Sequence, residues 1–176
     1  MFSSRPAADS PALSRRRLLI GAAAVGALAG CSVRPSASAA PSTTPSAPFE
    51  VTHTDAEWHR LLSAEQYNVL REAGTETPFS SPLNDEHRTG VFGCAGCALD
   101  LFSSATKFDS GTGWPSFFKA LDNAVLELPD HSLGMDRTEV RCRRCGGHLG
   151  HVFDDGPAPT GLRYCMNGVA LTFRAT

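Results

Sequence analysis

Four cysteines, grouped as Cys94-Ala-Gly-Cys97 and Cys142-Arg-Arg-Cys145, constrain this chain more than any other feature. Each pair follows residues of strand character, Val91-Phe92 and Val140-Arg141, and precedes small residues, Ala98 or Gly146-Gly147. A tight turn of that kind aims two thiolates at one ion. Zinc takes four such sulfurs tetrahedrally at about 2.3 Å and leaves no open position for chemistry. The 44 residues between the pairs exceed the usual zinc-ribbon gap, so the fold itself must bring the two knuckles together. Two disulfides compete with this reading in an exported chain. Redox-active pairs of the thioredoxin kind compete as well, although no βαβ pattern surrounds either copy. The spacing favours a structural Zn2+ on Cys94, Cys97, Cys142 and Cys145.

The residues around the knuckles read as β-structure. Short apolar or alternating runs recur at residues 90–92, 99–102, 124–128, 139–141, 148–153, 162–165 and 169–174, separated mostly by glycine, proline or aspartate. This spacing predicts a mainly β domain of antiparallel sheets, as a sandwich or partly open barrel. Two capping boxes, Thr54-Asp-Ala-Glu57 and Ser63-Ala-Glu-Gln66, predict short flanking N-terminal helices. The first runs through Trp58, Leu61 and Leu62, and the second through Tyr67, Val69 and Leu70 to a stop at Gly74. Residues 77–88 read as a loop.

The first residues read as an address label. Ser14-Arg15-Arg16-Arg17-Leu18-Leu19 resembles a twin-arginine export signal. The apolar run that follows, 13 residues from Leu18 to Gly30, is short of the roughly 20 that span a bilayer. It ends in Leu28-Ala29-Gly30-Cys31, which resembles a lipobox whose cysteine is lipidated after cleavage. Ordinary secretion, with cleavage near Ala39-Ala40, is the competing reading. Residues 1–31 are thus an export signal and residues 32–48 a Ser/Ala/Pro-rich tether. Residues 49–176 form the folded domain. A location in the cell envelope follows, on a membrane surface through a lipid anchor at Cys31.

Charge excludes one class of partner. Of 16 basic and 18 acidic side chains, residues 1–31 hold four arginines and one aspartate, so the rest carries a clear acidic excess with only two lysines. Such a domain does not suit a nucleic-acid backbone.

With four cysteines on a metal and Cys31 in the leader, Cys165 has no structural duty. It lies in Arg163-Tyr-Cys-Met-Asn167, a strand-like stretch broken by a turn. A free cysteine is often buried and inert, so this stretch alone does not make it a nucleophile. Trp114, between a glycine-rich loop and Pro115, can cap a sheet end or offer its face to a small methyl group. His148 and His151 are three apart; in a regular strand they fall on opposite faces unless Gly150 bulges. They suit a second metal site or proton donors beside a thiol.

Gly113-Trp-Pro-Ser-Phe117, Cys142-Arg-Arg-Cys145, His148-Leu-Gly-His-Val-Phe-Asp-Asp-Gly-Pro157 and Arg163-Tyr-Cys-Met-Asn167 together resemble the signature blocks of the type B methionine sulfoxide reductases. The likeness covers roughly residues 54–174 in the family's order. It implies an antiparallel β fold and reduction of the R epimer of methionine sulfoxide, mainly within proteins. Cys165 matches the nucleophile, Trp114 the group that holds the sulfoxide methyl, and His148, His151 and Asn167 polar groups of the pocket. Arg163 matches a residue that tunes the thiol, and the four paired cysteines match the zinc ligands of zinc-containing members.

Two-cysteine members of that family carry a resolving cysteine, often in the loop leading to the tryptophan. Here Thr112 stands in that loop, and no cysteine lies between Cys97 and Cys142. The expectation is a monomeric one-cysteine enzyme. Its Cys165 sulfenic acid is reduced by an external thiol such as a thioredoxin-like protein. A zinc-stabilised binding module without redox chemistry, a thiol hydrolase and a reductase of free sulfoxide alone are the rival readings.

Overall fold

The computed structural model of the chain describes residues 49–176. Residues 1–48, with the expected export signal, the expected tether over residues 32–48 and Cys31, lie outside the described residues.

Among the described residues two helices come first, α1 (Asp55–Leu61) and α2 (Ala64–Glu72), and both expected capping boxes are formed. Thr54 and Ser63 each accept from a backbone N–H three residues on, and Glu57 and Gln66 reach back. α1 buries Trp58 but leaves Leu61 59 % exposed, so its apolar face is narrower than the sequence suggests. α2 closes one residue earlier than expected, at Ala73, which takes the left-handed conformation (φ 54) in place of Gly74. Buried Val69 and Leu70 pin this helix to the sheets. Residues 77–88 form the expected loop, with one 3-10 turn at Pro82–Asp85.

Nine strands follow: β1 (Gly90–Cys94), β2 (Asp100–Ser103), β3 (Lys107–Phe108), β4 (Ser116–Phe117), β5 (Val125–Asp130), β6 (Arg137–Cys142), β7 (His148–Phe153), β8 (Arg163–Met166) and β9 (Leu171–Ala175). They make two antiparallel sheets, of order β2-β1-β9 and β3-β4-β8-β7-β6-β5. All seven expected strands are present. β3 and β4, at two residues each, are too short to leave a periodic trace, and Gly168–Ala170 is a 3-10 turn where the last strand was expected to begin.

Aromatic side chains close the space between the sheets. Phe117 of the larger sheet stacks on Phe102 at 4.4 Å between centroids and meets Phe92 edge-on at 5.0 Å, both from the smaller sheet. All three are fully buried, each contributing about 1.5–3 kcal/mol of apolar burial. Strand alternation decides what faces the other way. Val140 and Cys142 of β6 and Tyr164 and Met166 of β8 point into this core. Their neighbours Glu139, Arg141, Arg163 and Cys165 therefore share the opposite face of the larger sheet. Among the described residues no helix is long and apolar enough to cross a membrane.

Candidate active site

One irregularity assembles this outer face. β6 and β7 pair Glu139 with His151 and Val140 with Gly150, but Arg141 with His148, so Leu149 is an extra residue. The bulge returns His148 to the face that His151 occupies, and the imidazole centroids stand 5.4 Å apart. Gly150 permits it, because a Cβ there would overlap the carbonyl oxygen of Cys165 on β8. Cys165 is itself the register partner of His151 on one side and of Ser116 on the other.

The two histidines differ in setting. His148 is buried, with Nδ1 2.7 Å from Oε1 of Glu139, and its Nε2 has no partner among the described residues. Burial holds its pKa below the ordinary imidazole value, against the pull of Glu139. Burial alone would raise the Glu139 carboxyl, but hydrogen bonds from His148 and Arg141 outweigh it and hold it low. His151 is more open and its Nε2 lies 2.7 Å from Oδ2 of Asp130. Hydrogen bonds from Ser132 first, then His151, with the charge of Arg137, hold the Asp130 carboxyl far below the usual range. Asp130 is thus a fixed anion that orients the His151 ring.

Cys165 is half-buried, with Thr112 Oγ1 3.8 Å from its Sγ. Thr112 belongs to a hydroxyl chain through Ser110 (2.8 Å) to buried Ser116 (2.7 Å). Arg163 holds Asp155 with two hydrogen bonds of 2.8 and 2.9 Å and lies 4.5 Å over the Phe153 ring. Burial pushes the Cys165 thiol above its ordinary value; Thr112, Arg163 and Ser116 pull it down without outweighing that. The Arg163 cation thus favours the thiolate, but burial outweighs it.

A cavity of about 160 Å³ opens on the thiol, with Trp114, Arg137, Gly150, His151, Cys165 and Asn167 in its wall. Glu76 secures that wall. Its backbone carbonyl accepts from the Trp114 indole N–H at 3.2 Å, its N–H donates to Asn167 Oδ1 at 2.9 Å, and its carboxylate accepts from Gly168 and Val169 N–H. Asn167 also donates through Nδ2 to the Leu149 carbonyl at 3.1 Å, locking the bulge against β8.

The structure thus brings Cys165, Trp114, His151 and Asn167 to one cavity. His148 stands behind His151, and Arg163 stands beside Cys165; neither is in the wall. Sequence reasoning passed over Arg137, Asp130, Glu139 and Glu76. The alternation Arg137-x-Glu139-x-Arg141 against Val140 and Cys142 is a visible signal of a charged sheet face, whereas Glu76 sits in a loop without pattern.

The four paired cysteines meet where β1 and β6 end. In both knuckles a positive-φ residue, Ala98 (φ 57) or Gly146 (φ 70), closes a turn onto the carbonyl of the first cysteine, at 2.8 and 2.9 Å. Cys94 and Cys145 sulfurs lie 3.7 Å apart, those of Cys97 and Cys142 3.5 Å, and all four fall within 4.8 Å. These separations are too long for disulfides and match the edge of a tetrahedron with metal–sulfur bonds of about 2.3 Å. Cys94 ends β1 and Cys142 ends β6, so an ion held there ties the two sheets together. Leu70 of α2 covers it, close enough that a Cβ on Gly147 would meet Leu70 Cδ2 at 2.9 Å.

Comparison with known proteins agrees with this arrangement. Residues 62–175 match the SelR domain family. The chain is 55 % identical over 128 residues to the peptide methionine sulfoxide reductase MsrB of Leifsonia xyli subsp. xyli, covering 72 % of this chain and 92 % of that protein. It is 58 % identical over 121 residues to the MsrB of Thiobacillus denitrificans (68 % and 92 %). It is 54 % identical over 125 residues to that of Methanosarcina barkeri (70 % and 88 %). The match runs over most of the described domain, and this chain belongs to the SelR-domain family, that of the type B methionine sulfoxide reductases.

Proposed function

We propose that the protein is a peptide-methionine (R)-S-oxide reductase in which Cys165 is the nucleophile. The observation that carries this is the shared cavity: the thiol of Cys165, the indole of Trp114 and the imidazole of His151 all line it. The thiolate of Cys165 attacks the sulfoxide sulfur as the sulfoxide oxygen accepts a proton, with His151 the donor closest to hand. Two electrons pass to the methionine sulfur, the oxygen ends on Cys165 as sulfenic acid, and methionine leaves. Trp114 holds the methyl group and Asn167 the polar end of the substrate. His148 and Arg163 act from behind, on His151 and Cys165.

Regeneration needs two external thiols. The first condenses with the sulfenic acid, releasing water and leaving a mixed disulfide. The second attacks that disulfide and frees Cys165. A thioredoxin-like envelope protein fits both steps, and the enzyme works as a monomer. Zn2+ is the ion that suits Cys94, Cys97, Cys142 and Cys145; four sulfurs close its coordination, so it contributes stability rather than a step in the reaction. Residues 1–31 export the domain, and a lipid on Cys31 with the tether over residues 32–48 keeps it at a membrane surface. There it repairs oxidised envelope proteins.

The deciding assay presents separate R and S epimers, free and peptide-bound, to the full chain. We expect turnover of R alone, better within peptides, and none by Cys165→Ser. Equal use of S, or activity surviving Cys165→Ser, overturns the reading. A binding module without redox chemistry has no use for Cys165 and predicts binding unchanged in that variant. The anchor is checked separately by the mass of the mature N-terminus, with Cys31→Ala expected to lose the lipid.

A further inference from the structure

A second cavity, of about 150 Å³, shares Trp114 with the substrate cavity. Phe79, Phe108, Asp85, Asp109 and Lys107 also line it. Phe79 is 72 % exposed and holds a left-handed backbone at φ 64. A bulky residue at positive φ is an outlier, and such outliers persist where the surrounding structure imposes them for use. Here the imposition is visible. Phe79 N–H donates to the Gly113 carbonyl at 2.7 Å, and Asn84 Nδ2 donates to the same carbonyl at 3.0 Å. A Cβ on Gly113 would stand 2.8 Å from the Phe79 ring, so the glycine leaves room for it. The ring is thereby tied to the loop that carries Trp114.

Two carboxylates, Asp85 and Asp109, share this cavity with one lysine, Lys107, and the imidazole of His87. Lys107 Nζ donates to the Asn84 carbonyl at 2.7 Å rather than to either carboxylate. Asp109 spends one oxygen on the Gly111 N–H at 2.8 Å. Neither Asp85 nor Asp109 forms an ion pair among the described residues. An open aromatic face beside two free carboxylates suits a guanidinium. Such a group stacks on the ring and forks to the acids, while its aliphatic stem covers apolar surface.

We propose that this cavity is a peptide subsite for an arginine side chain one or two residues from the oxidised methionine. The proposal rests on the reductase reading for what fills the neighbouring cavity. Trp114 lines both cavities, so a side chain near the oxidised methionine is the occupant assigned to the second. Enzyme and substrate then match by charge as well as by the sulfoxide, and oxidised methionines beside arginine are reduced preferentially.

Binding to the full chain carrying Cys165→Ser reads the subsite without turnover. Calorimetric titrations use three peptides with one methionine-R-sulfoxide, flanked by arginine, by uncharged citrulline or by glutamate. The arginine peptide is expected to bind about 5-fold more tightly than the citrulline one, from one cation–π contact and one exposed ion pair. The glutamate peptide is expected to bind more weakly still. Phe79→Asn keeps a residue at home in the left-handed region, and it should erase most of that preference, as should Asp85→Asn. In the chain that retains Cys165, both substitutions should leave kcat/KM for N-acetyl-methionine-R-sulfoxide within about 2-fold, because that substrate has no flanking side chain. Equal binding of the three peptides overturns the subsite, and so does a Phe79→Asn loss that is the same for all three or extends to the small substrate. If the wild-type chain reduces neither the small substrate nor the arginine peptide while the arginine preference stands, the reductase reading falls and the subsite does not.

Discussion

Thr112 Oγ1 lies 3.8 Å from Cys165 Sγ, at the end of a hydroxyl chain that leads through Ser110 to buried Ser116. A thiol at position 112 would therefore stand next to the sulfenic acid. Thr112→Cys should convert the enzyme from external to internal resolution. Peptide mapping after one turnover is expected to show a disulfide between the introduced thiol and Cys165, formed with loss of water and without an added monothiol; a reductant is then needed only to open that disulfide. The unmodified chain should show Cys165 as a sulfenic acid, trapped by dimedone, with no intramolecular disulfide. Finding one in the unmodified chain removes the one-cysteine assignment.

Burial raises the Cys165 pKa, and Thr112, Arg163 and Ser116 only moderate it. A raised thiol pKa means that the neutral form is favoured, so reactivity is gained as pH rises through the native value. Alkylation of Cys165 by iodoacetamide, followed by peptide mass spectrometry without substrate, should inflect above pH 8.5, the ordinary thiol value. Arg163→Gln removes a cation and should move the inflection higher still, with Ser116→Ala shifting it in the same direction by less. An inflection below pH 7 would contradict the dominance of burial.

Much of this was legible in the sequence because the signals are local. Capping boxes, CxxC knuckles and short alternating strands each depend on neighbours a few residues apart, and all of them appear in the fold in the expected order, beside two strands, β3 and β4, too short to leave a trace. The register bulge was legible only as a condition, through Gly150 between His148 and His151. What makes it real is the close approach of β8, a contact between residues distant in sequence. The same holds for Cys165: Arg163 two residues away suggests an acidic thiol, but desolvation by the whole site decides the direction. Glu76 was beyond reach, since its loop has no period and its partners Trp114, Asn167 and Gly168 are dozens of residues later.

The metal knot predicts a stability effect with little chemical effect. Cys94 and Cys142 end strands of different sheets, so losing the ion removes one tie between them. Elemental analysis should find about one zinc per chain, and Cys142→Ser should lose it. Structural zinc in small modules contributes on the order of 10 kcal/mol. Even half of that lowers Tm by about 10 °C or more in a domain of this size. Activity of the variant at low temperature should fall only with the folded fraction. A thermal midpoint unmoved by metal loss, or a mapped disulfide between Cys94 and Cys145, would rule the knot out.

Gly150 is where fold and chemistry are least separable. A Cβ added there would overlap the carbonyl oxygen of Cys165 and stand 3.0 Å from Met166. Gly150→Ala must push β7 away from β8, the pair that sets His151 opposite Cys165. Overpacking of this kind costs about 1–3 kcal/mol. Displacing a proton donor by about 1 Å costs up to roughly 100-fold in rate, so activity should fall much further than the folded fraction. Gly134→Ala is the matching control. That glycine also has positive φ (69), but nothing lies within 4 Å of an added Cβ, so the substitution strains only the backbone. It should cost about 1 kcal/mol and leave kcat/KM intact. Urea unfolding and initial rates on N-acetyl-methionine-R-sulfoxide separate the two effects. If Gly150→Ala loses stability but keeps full activity per folded molecule, the bulge is a packing feature alone and His151 does not need its place opposite the thiol.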